Sequence, residues 1–96
     1  MRYEEVDPVI RDWARKYKLH LYEEHYDEEI RAADINDELG RTYQIGIEPP
    51  DTAGKIKVRA CAWDYKERNR LYEIETNRLR EVLEEVIELI NLWMKE

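Results

Sequence analysis

The chain contains no serine and no phenylalanine, only one cysteine (Cys61), and three glycines and three prolines spread over 96 residues. Each shortage excludes something. Without serine there is no serine nucleophile, and threonine occurs only at Thr42, Thr52 and Thr76. A lone Cys61 cannot close an internal disulfide, which fits a reducing compartment. No Cys cluster and no HExxH spacing provides a metal centre. Long apolar runs are missing too. The longest mostly apolar stretch, Val82 to Met94, is interrupted by Glu84, Glu85, Glu88 and Asn91, whereas a bilayer span needs about 20 apolar residues. The stretch Met1 to Tyr17 is charged throughout and lacks an apolar signal core, so a cytoplasmic location is expected.

What is present is charge and aromatic surface. Charged residues make up 41% of the chain and the formal net charge is −7. An acidic body repels phosphate backbones and anionic membranes, so neither nucleic acid nor membrane is expected as a partner. A basic protein is compatible with that charge, as is no charged partner at all, since a net charge far from zero keeps a small protein soluble, and solubility is the first reading. Seven Tyr, three Trp and many Ile and Val argue against disorder. The length suits one domain, residues 1–96.

Periodicity supplies the architecture. Asp7-Pro8 reads as a helix start, with Asp7 as the cap, and Val9, Ile10, Trp13, Ala14 and Tyr17 recur at helical spacing. From Lys18 the period becomes two, with Leu19 and Leu21 alternating with His20 and Tyr22. The acidic run Glu23 to Glu29 ends that strand and turns. Ile30, Ala32, Ala33 and Ile35 do not keep one phase, which predicts a bulge in a second strand. Strands follow over Thr42 to Glu48 and Lys55 to Tyr65, separated by the Pro49–Gly54 loop. Leu71 to Ile74 either forms a short strand or leads into the last helix, and a strand is preferred. Asn77 to Lys95 forms a long amphipathic helix, capped by Thr76 or Asn77. Helix, strands, helix with short connections implies an α+β fold: an antiparallel meander of four or five strands, with N-terminal and C-terminal helices packed on one face.

Strand phase then divides the sheet. Leu19, Leu21, Tyr43, Ile45, Ile47, Ile56, Val58, Ala60 and Ala62 face the helices. His20, Tyr22, Glu24, Thr42, Gln44, Lys57, Arg59, Cys61, Trp63 and Tyr65 face away. An antiparallel sheet can leave one face to water, where Tyr and Trp serve as cross-strand pairs. Trp, Tyr and Arg are also enriched at interface cores. The expected function is therefore a non-enzymatic protein-interaction module, a homodimer or an adaptor for a basic protein, acting through Tyr22, Arg59, Trp63 and Tyr65. The alternative is a shallow ligand or enzyme site built from His20, Glu24, Arg59 and Cys61. Neither reading calls for a cofactor or a metal. His20 and His25 are five residues apart on one strand and point to opposite faces, so they do not converge on one ion. The acidic run lacks the glycine of a calcium loop. An aromatic sheet can stack single-stranded RNA, but no basic stripe and no RNA-binding motif of glycines and alternating Phe accompanies this one.

Overall fold

The computed structural model describes residues 3–63 and 66–96. Helix α1 spans Asp7–Lys16 and helix α2 spans Leu79–Met94. Between them lie strands β1 (Leu21–His25), β2 (Glu28–Asn36), β3 (Thr42–Ile47), β4 (Lys55–Ala62) and β5 (Asn69–Glu75). The strands pair antiparallel in the order β1-β2-β3-β4-β5, the expected meander. Both helices pack on the same face. Ile10, Trp13 and Ala14 of α1 and Leu79, Val82, Leu83, Val86, Ile87 and Ile90 of α2 are buried. They meet Ala33, Tyr43, Ile45, Ile47, Ile56, Val58, Ala60 and Ala62 from β2, β3 and β4. The indole of Trp13 donates to the Leu83 carbonyl at 3.1 Å, pinning α1 to α2.

The connections are built by local chemistry. Helix α1 ends with Lys18 in the left-handed region (φ 56°), where Leu19 N–H reaches the Ala14 carbonyl at 2.8 Å and Lys18 N–H reaches Arg15. This is a Schellman closure made with lysine in the position that usually takes glycine. The β1–β2 hairpin turns on Tyr26 and Asp27 alone, both at positive φ, as a two-residue type I′ turn requires. Asp37 organises the β2–β3 turn. Its carboxylate accepts from the Leu39 and Arg41 amides, both at 2.9 Å, and from the Arg41 guanidinium at 2.5 Å. Asp51 performs the same service before β4, accepting from Ala53 and Lys55, and Gly54 supplies the positive φ.

Three local expectations need correction. Asp7 is not the cap of α1. Val6 occupies that position, and Asp7 is the first helical residue. Its carboxylate is diverted to Arg31 of β2 in a two-toothed pair, Nε to Oδ1 at 2.7 Å and Nη2 to Oδ2 at 3.0 Å. Neither Thr76 nor Asn77 caps α2 by a side-chain bond. Thr76–Arg78 form a tight 3-10 turn that leads into the helix. Residue Leu19 also lies ahead of β1 rather than in it, half-buried against the core.

The bulge expected in the second strand is present. Tyr22 pairs with Ala32, but Glu24 pairs with Glu29, so Ile30 and Arg31 together oppose Glu23. Alternation with Ala33 and Ile35, in unbroken register with β3, puts Arg31 on the helix side beside this bulge, where it is 4% exposed and lies 4.4 Å over the Tyr3 ring. Arg31 holds the Asp7 carboxyl below its ordinary range by direct hydrogen bonding. Tyr3, whose hydroxyl donates to the Ile47 carbonyl at 2.7 Å, is pushed up to about 12 by burial. This cluster fixes the N-terminal segment and α1 to the end of the sheet.

Candidate functional site

The uncovered face of the sheet carries the candidate site. Strand registers lay it out as rows running across the five strands. The central row is Tyr22, Ala32, Gly46, Arg59 and Leu71. Beside it, Asp34, Gln44, Cys61 and Asn69 form a polar row, with His20 immediately ahead of β1. On the other side Lys57 pairs with Glu73 and hydrogen-bonds through its carbonyl to Glu48. Adjacent strands lie about 4.8 Å apart, so the row from Tyr22 to Arg59 spans about 14 Å.

Relief across that row is uneven. Tyr22 is 42% exposed and Leu71 is 44% exposed, while the two positions at the centre are alanine and glycine. The result is a hollow of about 380 Å³ floored by Ala32 and Gly46, with Arg59 and Cys61 on the β4 side and Ile30 and Gln44 at its flanks. It runs to the bulged end of the sheet, where Tyr3 and Pro49 close it together with Glu29, Arg31 and Glu48. The glycine is not required by the backbone. Gly46 has no left-handed φ, and a Cβ built there meets no atom within 4 Å.

Charge on this face is sparsely paired. Among the described residues neither Arg59 nor Lys57 forms an ion pair within 4.0 Å, and Arg59 stands exposed on the wall of the hollow. Arg11, Arg15, Lys16, Arg31, Arg41, Arg68, Arg78 and Arg80 all pair with carboxylates elsewhere. In the polar row Asp34 Oδ1 is buried without a hydrogen-bond partner. The exposed Arg59 guanidinium, with no hydrogen-bond partner among the described residues, gives this face unmet donor capacity that a partner can satisfy.

The residues singled out by sequence are distributed as follows. Tyr22 and Arg59 share the central row, separated by Ala32 and Gly46. Trp63 follows β4, is 62% exposed, and its amide donates to the Thr42 carbonyl at 3.0 Å. Tyr65 lies outside the described residues. Of the alternative set, Arg59 and Cys61 line one hollow. His20 instead packs edge-on against Tyr22, ring centroids 4.5 Å apart. Glu24 lies beyond the register shift and lines a separate acidic hollow with Asp7, Arg11, Glu23 and Asp27. His25 packs on Tyr26. Among the described residues no group of three or more His, Cys, Asp and Glu side chains is placed to hold a metal ion, and no helix is long and apolar enough to cross a membrane.

Ala32, Gly46 and Leu71 belong to this face and were not singled out from sequence. Gly46 carried a usable signal, because a glycine inside an otherwise regular strand marks a position where a side chain is unwanted. Leu71 needed the β4–β5 register, and Ala32 needed the bulge.

Comparison of the chain with protein-family models, with curated proteins and with solved structures finds no match.

Proposed function

We propose that this protein is a non-enzymatic interaction module whose open sheet face docks another protein. The observation that carries the reading is the bare face itself: five strands covered by helices on one side only, with Tyr22, Trp63 and Leu71 exposed around a central hollow. Tyr, Trp and Arg are the side chains over-represented among residues that dominate binding energy. The net charge of −7 favours a basic partner, since unlike charge raises encounter rates and like charge opposes them. Arg59 then serves as a local anchor for a carboxylate or carbonyl of that partner.

The test begins with light scattering across a concentration series on the wild type and on Trp63→Glu, which separates self-association through this face from a face left free. Affinity capture with the same two proteins follows. A partner held by the wild type and released by Trp63→Glu supports the reading. Equal retention by both, with the variant folded, overturns it.

The hollow beside Arg59 and Cys61 favours a second reading, a small-ligand site for a compound with an apolar body and an anionic group. A ligand that binds only the native state raises the thermal midpoint, and Arg59→Ala removes that shift. No shift across a panel of small carboxylates and phosphates leaves the protein-docking reading in place.

A further inference from the structure

A sheet that does not close has two edges, and the two edges here differ. Strand β1 is a poor template. It has five residues, its register breaks at the bulge, and two copies paired about any of its inner residues would set Glu23 or Glu24 against its own copy or against an apolar residue. Such features blunt an edge against pairing. Strand β5 has none of them. It runs seven residues in unbroken register with β4, contains no proline and carries no bulge.

The direction of its backbone groups follows from the ladder. Ala62 N–H bonds the Arg68 carbonyl at one end, and Thr76 N–H bonds the Gly54 carbonyl at the other. Hydrogen-bonded pairs alternate along an antiparallel ladder. Arg70, Tyr72 and Ile74 therefore direct their N–H and C=O groups at β4. Asn69, Leu71 and Glu73 direct theirs outward, along the free edge.

We infer that two copies of this chain join through β5, edge to edge, to form one ten-stranded antiparallel sheet. The two-fold axis of such a pair stands perpendicular to the sheet, so it pairs only residues that point to the same face. Four centres are available in the middle of the strand. Arg70 or Glu73 at the axis would oppose a charge to its own copy. Tyr72 at the axis would place Leu71 against Glu73 of the second copy. Leu71 at the axis pairs leucine with leucine, Asn69 with Glu73 of the second copy, and Arg70 with Tyr72 of the second copy. The last pairing repeats across the axis a contact the chain already makes within itself, Arg70 lying 5.0 Å over the Tyr72 ring. In this register the outward groups of Leu71, Asn69 and Glu73 exchange about six hydrogen bonds. The helices of both copies stay on one side, and the two open faces become continuous around a central Leu71 pair.

The inference is independent of the open-face reading, because edge pairing leaves Tyr22, Arg59 and Trp63 uncovered. The experiment compares wild type, Glu73→Ala and Glu73→Pro by light scattering and circular dichroism. Proline removes the outward N–H of Glu73 without touching the ladder to β4, whereas alanine removes only the side chain. The expected result is a mass of twice the 11.8 kDa chain for wild type and Glu73→Ala, and single-chain mass for a folded Glu73→Pro. Trp63→Glu is expected to stay dimeric. Each copy carries −7, so raising the salt concentration tightens the dimer. Hydrogen exchange on the wild type gives a readout that needs no variant: the Asn69, Leu71 and Glu73 amides slow at least about tenfold from dilute to concentrated protein, while other edge amides in β1 do not change. Single-chain mass for the wild type up to about 1 mM, a dimer that survives in folded Glu73→Pro, or exchange independent of concentration at those three amides overturns the inference.

Discussion

Replacing Gly46 with valine tests whether the hollow on the open face is a feature of the fold or an addition to it. Glycine in a strand interior costs roughly 0.5–1 kcal/mol relative to alanine, because the unfolded chain has more freedom to lose. Valine adds a β-branched side chain suited to a pleated surface, on a propensity scale that spans about 1 kcal/mol. The usual objections to such a change do not apply here. Gly46 has no left-handed φ, and a Cβ at this position has no atom within 4 Å to strike. Its cross-strand neighbours are Ala32 and Arg59, so the new methyls contact one small side chain and the stem of one long one. Stability should therefore rise by about 1 kcal/mol, which for a domain of this length corresponds to about 4–8 °C in the thermal midpoint.

Urea unfolding with an unchanged slope, together with thermal melts, measures the gain. The same substitution fills the floor between Ala32 and Arg59, so anything seated in the hollow is lost as the protein becomes more stable. A loss of stability of 0.5 kcal/mol or more (about half the expected gain, with the sign reversed) would refute the reasoning, because glycine would then be serving the fold rather than the surface.

Two further substitutions probe the frame that carries the face. Asp7→Ala leaves Arg31 buried without its two-toothed partner, which typically costs about 3–5 kcal/mol. Glu29 at 3.5 Å and Glu23 at 3.8 Å remain near the guanidinium, placing the expected loss at the low end, about 3 kcal/mol by urea unfolding. The double replacement Asp7→Leu with Arg31→Met should recover most of it, and a loss that adds across the two sites would show that the pair does not act as a unit. Because Asp7 titrates below its ordinary range when folded, its contribution is present above the unfolded carboxyl pKa of about 3.9 and disappears as pH falls through the folded value. Wild type should accordingly lose stability more steeply than Asp7→Asn below about pH 4, and parallel curves would contradict the pair's role. Lys18→Gly relieves a left-handed lysine at the end of α1, an arrangement costing about 1–2 kcal/mol for a residue with a Cβ. Set against the added freedom of glycine in the unfolded chain, a net gain of about 0.5–1 kcal/mol is expected, and destabilisation would show that Lys18 makes contacts of its own.

How far the face could be read from sequence depended on whether a residue's role is set by its neighbours in the chain. Ile45 and Ile47, or Ile56, Val58 and Ala60, alternate within regular strands, and period two places them on the helix side with no knowledge of what they pair with. The same rule places Arg59 and Cys61 on the open side. Arg31 obeys that phase but not its usual chemistry. Two residues before Ala33 on β2, it falls on the helix side, where a charge is not expected, and it is 4% exposed. What overrides the expectation for a charged side chain is Asp7, 24 positions away, whose own cap-like sequence context predicted a local role. A cap and a buried ion pair call for the same residue type, and only the distance across the fold separates them.

The bulge beside Arg31 also shapes the open face. By adding a residue to β2 opposite Glu23, it separates the acidic end of β1, with Glu24, from the row that begins at Tyr22. Glu23, Glu24 and Asp27 gather around the separate hollow that includes Asp7, Arg11 and Arg31, where cations answer them, while Glu29 and Glu48 border the bulged end of the central hollow. The central hollow keeps Arg59 as a cation without a carboxylate partner among the described residues, on a protein that carries seven negative charges in excess. The cation available to a partner at this hollow, Arg59, is opposite in sign to the net charge that attracts the partner from a distance. Long-range attraction selects a basic protein, and Arg59 then selects, within it, a place that presents an acidic or carbonyl group among the basic ones.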